Sequence, residues 1–108
     1  MSGTKHLKFT KMHGIGNDYV YIDTWEQTEP PIGWSELAKR VAERRFGVGS
    51  DGLILIEKPR SKGSHGSMRM FNADGSESEM CGNGLRCVAK YLHDRLYPGI
   101  DELDIDTG

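Results

Sequence analysis

The chain has 108 residues, a formal net charge of −2 and two cysteines. That length fits one domain, and the slightly acidic balance excludes a basic nucleic-acid footprint, leaving small molecules or proteins as partners. The longest apolar run, Leu53 to Ile56, is far too short for a membrane span, and Met1 to Lys11 lacks the apolar stretch of a secretory signal, so the cytoplasm is the expected compartment.

Leu7 to Met12 alternates apolar and polar residues and predicts a strand. Gly14-Ile15-Gly16-Asn17-Asp18 then turns the chain into a second strand, Tyr19 to Asp23. Thr24 to Gly33, with Pro30-Pro31, is expected as a surface loop. Ser35 fits the N-cap of an amphipathic helix to about Phe46, with Leu37, Ala38, Val41 and Ala42 as its buried stripe and Gly47 after its end. No chemistry is assigned to that helix. The glycine-rich loop from Gly47 to Gly52 leads into Leu53 to Glu57, a strand apolar on both faces and therefore covered on both.

Lys58 to Gly66 is a polar connection, and Ser67 to Asn72 predicts a strand with Met68 and Met70 on one face. A second helix is expected from near Gly82 to about Leu96, where Pro98-Gly99 ends it. Leu85, Cys87, Val88, Ala89, Tyr91 and Leu92 spread around most of its circumference, which suits a helix enclosed in a core. Glu102 to Asp106 alternates as a last strand. The pattern is α+β, with at least five strands, one enclosed helix and one outer helix.

Two cysteines are too few for a disulfide scaffold or a four-ligand zinc site. If Cys81 and Cys87 share a helix, six rises of about 1.5 Å part their α-carbons by roughly 9 Å, beyond the ~7 Å a disulfide tolerates, so both are expected as free thiols. His6, His13, His65 and His93 show no metal-ligand spacing with them, and no metal is assigned.

The segment from Phe71 to Gly84 runs from a strand end, through an acidic turn, to Cys81 at the start of a helix. Unpaired amides and the positive end of the helix dipole meet there, lower a thiol's pKa and stabilise an anion. Gly82 and Gly84 would let a carboxylate approach those amides. Taken alone, a cysteine placed like Cys81 is more often a small buried hydrophobe than a catalyst, and Asn17, Asn72 and Asn83 fit ordinary turn or helix-start residues. Gly14-x-Gly16 and Gly47-x-Gly49 lack the partners of a phosphate loop. The residues thus offer a candidate thiolate beside a carboxylate site without naming a reaction.

Three blocks narrow this. Lys8 to Tyr19, Arg45 to Gly52, and Phe71 to Cys87 resemble, in order, the opening, the glycine-rich loop and the first catalytic segment of diaminopimelate epimerases. The resemblance implies an α/β domain in which a mixed strand barrel surrounds a central helix, paired with a second, similar domain. It implies that residues 1–108 are the N-terminal domain and that the partner is the protein's own C-terminal domain, with a homodimer also compatible. The implied activity interconverts LL- and meso-diaminopimelate without a cofactor, in lysine biosynthesis, through two thiols on opposite faces of the substrate.

By that resemblance Cys81 is one of the two catalytic thiols, and Asn17, Asn72, Gly82 and Asn83 contact substrate. Cys87 is not the second thiol, which belongs to the other domain, so this chain by itself is expected to be inactive. Gly52 stands where some members have a substrate-contacting glutamine, and no role is assigned to it. Proline racemases, a related class, usually carry histidine where this chain has Asn83.

Overall fold

A computed structural model describes residues 10–14, 17–43, 49–78, 82–100 and 102–107. Their elements in chain order are β1 (Thr10–Gly14), β2 (Asn17–Asp23), α1 (Trp34–Ala42), β3 (Gly52–Glu57), β4 (Gly66–Asn72), β5 (Glu77–Ser78), α2 (Gly82–Arg95) and β6 (Ile105–Asp106). The strands form one mixed sheet ordered β1-β2-β3-β4-β5. The β2–β3 pair is parallel, and β1–β2, β3–β4 and β4–β5 are antiparallel. The short β6 lies parallel to β4, opposite Gly66 and Ser67, while β5 pairs the far end of β4 at Met70 and Phe71.

Side-chain alternation along the three inner strands divides the core in two. Tyr19, Tyr21, Ile54, Ile56, Met68 and Met70 point to one face, where Val88 and Leu92 of α2 cover them. Val20, Ile22, Leu53, Leu55 and Phe71 point to the other, under Trp34 and Ala38 of α1. This is why β3 reads as a continuous apolar run: all four residues from Leu53 to Ile56 are fully buried. Each such side chain contributes about 1.5–3 kcal/mol relative to exposure. The expected strand cores and the shared face of Met68 and Met70 agree with this arrangement.

Several boundaries differ from expectation, each for a local reason. Asn17 and Asp18 already belong to β2 rather than to the turn, because Gly14 pairs with Asn17. The cap of α1 is Gly33, at φ 85°, not Ser35. Glu29 reaches back to accept the amide proton of Trp34 at 3.1 Å, supplying the capping acceptor that Ser35 was expected to supply. Trp34 thereby joins the core, which the sequence reading missed. The helix stops at Ala42 instead of Phe46, since the Val41 carbonyl accepts from the returning amides of Gly49 and Ser50 at 2.9 and 3.3 Å. Leu7 to Phe9 and the expected Gly47 cap lie outside the described residues.

The expected last strand shrinks to Ile105–Asp106. Asp106 holds that end: its carboxylate accepts from the amides of Arg60 and Ser61 and from the Ser64 hydroxyl at 2.8, 2.9 and 2.8 Å. The bonds from Ser61 and Ser64 contribute most to holding Asp106 well below the ordinary carboxylate range. Among the α2 residues whose burial is described, Gly84, Val88 and Leu92 are buried, while Leu85, Cys87, Ala89 and Tyr91 are half-buried and Arg86 and Lys90 exposed. Among the described residues, then, the sheet covers one face of α2.

Candidate functional site at one end of the sheet

Register places the expected asparagines. Tyr19 pairs with Gly52, and Gly52 with Asn72, so β2, β3 and β4 bring the start of β2 and the end of β4 to the same end of the sheet. Two strand spacings of about 4.8 Å and two rises of about 3.3 Å separate the Asn17 and Asn72 α-carbons by roughly 12 Å. Asn17 is described in its backbone only. Between them, Gly52 leaves no room for a side chain, since a Cβ there would run into the Phe71 carbonyl oxygen. A glutamine at this position would need the strands to separate.

The opposite end of the sheet anchors the last turns of α2. Tyr91 Oη donates to Asp23 Oδ2 at 2.9 Å, at the end of β2. Leu92 packs so closely on Gly66, at the start of β4, that a Cβ there would meet Leu92 Cδ1 at 2.7 Å. Nine helical rises, about 13 Å, lead back from Tyr91 to Gly82. The first turn of α2 holds Gly82 and Asn83. That turn contains no acidic side chain. Its amides have no partners within the helix, so it is a place where an anion is stabilised.

Cys81 precedes α2 directly and lies outside the described residues. Cys87, one and a half turns further on, is a free, half-buried thiol packed against the core on the sheet side. This agrees with a structural role for Cys87. Among the described residues no group of three His, Cys, Asp or Glu side chains could hold a metal ion. Nor is any described helix long and apolar enough to cross a membrane.

The β4–β5 turn, expected only as an acidic turn, carries a polar network. Asn72 N–H donates to the Ser76 carbonyl at 2.8 Å, and Gly75 N–H to the Asn72 carbonyl at 2.9 Å. Asn72 Nδ2 donates to Ser76 Oγ at 3.0 Å, and Ser76 Oγ donates to Asp74 Oδ1 at 2.6 Å. Ser76 N–H adds a second bond to Asp74 Oδ1 at 2.9 Å. These bonds, the hydroxyl's first, hold the Asp74 carboxyl below its ordinary range. The turn is bolted to α1, because Ser35 Oγ donates to the Gly75 carbonyl at 2.6 Å. The outer helix thus supports the turn next to Asn72. The only sequence signal was the run of Asp74, Gly75 and Ser76, residues whose side chains bond to nearby backbone.

Comparison with known proteins supplies the relationship that these groups leave open. The family model described as diaminopimelate epimerase matches residues 9–108. A diaminopimelate epimerase of Acetivibrio thermocellus is 58% identical over 102 residues, covering 94% of this chain and 35% of the relative. Proteins of the same description from Desulfovibrio desulfuricans and Methanocella arvoryzae are 54% and 48% identical, again over 94% of this chain, and 34% and 36% of their own lengths. The chain therefore spans about a third of the length of the curated relatives it matches. With the family model matching over residues 9–108, the chain belongs to the diaminopimelate epimerase family.

Proposed function

We propose that this chain is the N-terminal domain of an enzyme that interconverts LL- and meso-diaminopimelate by proton transfer at one α-carbon. The observation that carries the reading is the family match over residues 9–108, which takes in the Cys81-Gly82-Asn83 segment where α2 begins. Cys81 is one catalytic thiol, and the second comes from the remainder of the full-length protein. One thiolate removes the α-proton and becomes a thiol. The electron pair stays on the α-carbon, and the other thiol delivers a proton to the opposite face, becoming the thiolate. Two bases on opposite faces invert the centre, whereas a single base tends to return its proton to the side it left.

The helix-start position favours the thiolate form of Cys81, because the dipole end and unpaired amides stabilise negative charge. The same amides suit the carboxylate on the reacting carbon, with Gly82 allowing close approach. Asn17, Asn72 and Asn83 offer neutral donors and acceptors to a substrate carrying two ammonium and two carboxylate groups. In the complete protein, strands close around α2 as a barrel. The half-buried Leu85, Ala89 and Tyr91, with Leu103 and Ile105 nearby, suit such a covering. The chemistry needs only thiols and amides, so no cofactor is assigned.

The test is Cys81→Ala in the full-length protein, following interconversion of LL- and meso-diaminopimelate. Loss of turnover with an unchanged circular dichroism spectrum is expected. Full turnover in the variant would sink the reading.

A further inference from the structure

The geometry points to Ser76 as a positioning residue that, with Asp74, fixes the rotation of the Asn72 carboxamide; this rests on the reading above that Asn72 contacts substrate. A serine hydroxyl has one proton, and here it goes to Asp74 Oδ1 at 2.6 Å, a carboxylate that can only accept. Toward Asn72, 3.0 Å away, Ser76 Oγ must then act as acceptor. The atom of Asn72 facing it is therefore the amide nitrogen, and the amide cannot flip without setting its oxygen against a lone pair. Asn72 Oδ1 is left facing away from the turn, with no partner among the described residues. Asp74 sets Ser76, Ser76 sets Asn72, and Ser35 of α1 holds the backbone of the turn through Gly75.

Such a relay holds a binding group in one orientation and takes no part in proton transfer. Losing it lets the carboxamide rotate and weakens substrate and transition state alike, which raises KM and leaves kcat near its starting value. Ser76 and Gly75 lie in the turn itself, and Ser76 is exposed, so a threonine can keep the hydroxyl without disturbing the core.

The experiment uses the full-length protein and has two arms. In the first, the heteronuclear NOE of the Asn72 side-chain amide is measured without substrate, in wild type and in Ser76→Ala. A value close to the backbone's in wild type, dropping in the variant, is expected; a mobile amide in wild type, or one unchanged in Ser76→Ala, overturns the relay whatever reaction the protein performs. In the second, a double-mutant cycle with Ser76→Ala and Asn72→Ala reads KM and kcat for diaminopimelate. Ser76→Ala should raise KM on the order of 10-fold, as expected for one lost oriented hydrogen bond, with kcat held within about 3-fold and Ser76→Thr restoring KM. In the Asn72→Ala background the Ser76 effect should vanish. Independent, additive effects of the two substitutions would overturn the proposal.

Discussion

Replacing Gly75 by alanine should destabilise the protein far more than the same change at Gly63, although both backbones share the left-handed region. Their φ angles are 89° and 91°. Putting an L-residue there costs about 1–2 kcal/mol, partly offset by about 0.4–1 kcal/mol from a less flexible unfolded chain. For Gly63 the account ends there, because nothing lies within 4 Å of an added Cβ. At Gly75 the Cβ would stand 2.9 Å from Ser35 Oγ and 3.0 Å from the Ser35 carbonyl oxygen, with Lys39 Cε at 2.7 Å. The lysine can swing aside, but the helix backbone cannot. Relief requires the turn to lift from α1, breaking the 2.6 Å bond from Ser35 to the Gly75 carbonyl and loosening its neighbours. A bond of that kind is worth about 1 kcal/mol and forced overpacking about 1–3 kcal/mol. Gly75→Ala should therefore lose about 2–4 kcal/mol, and Gly63→Ala about 1 kcal/mol or less. Urea unfolding of the full-length protein, with midpoints and slopes compared, measures both. Equal midpoints for the two variants would refute the claim that α1 clamps the turn.

Three further outcomes follow from the same structure. Leu92→Ala, at a fully buried position against Gly66 and the sheet, should cost about 2–5 kcal/mol by the same unfolding assay. Cys87→Ala should lower stability by about 1 kcal/mol and leave kcat near wild type, since its half-buried thiol packs on the core; loss of turnover in a folded Cys87→Ala would count against its structural role. The Asp106 carboxyl is held below its ordinary value of 3.8 in the folded state, mainly by Ser61 and Ser64. Its contribution to stability is present above that value and is lost as pH falls through the depressed folded value. The gap in urea midpoint between wild type and Asp106→Asn should thus be open at pH 7, persist through pH 4 and close only in stronger acid. A gap already closed at pH 4 would contradict the three-donor cradle.

The parts of the fold legible in the sequence are those where burial alone dictates residue type. The run from Leu53 to Ile56 and the alternation through Met68 and Met70 declared their faces, because each side of those strands meets a helix. Elements set by long-range partners were not legible. Glu77–Ser78 becomes a strand only by pairing with Met70 and Phe71, and the strand expected over Glu102 to Asp106 keeps only the two residues that pair with Gly66 and Ser67. The start of α1 depended on Glu29, five residues before Trp34, so a serine that looked like a cap instead bonds the β4–β5 turn. Residues proposed to touch substrate were legible by family resemblance, and register then brought Asn17 and Asn72 to one end of the sheet. The residues around Asn72 were not, because Asp74-Gly75-Ser76 spells a common turn, and its hydroxyl meets the carboxamide only once the chain has folded back on itself.

The central claim is that Cys81 exchanges the substrate's α-proton. The direct measurement is uptake of deuterium at the α-carbon of diaminopimelate in heavy water, by the full-length protein and its Cys81→Ala variant. The account predicts steady exchange with epimerisation in wild type and loss of epimerisation in a folded Cys81→Ala. Undiminished epimerisation and exchange in that variant would contradict it.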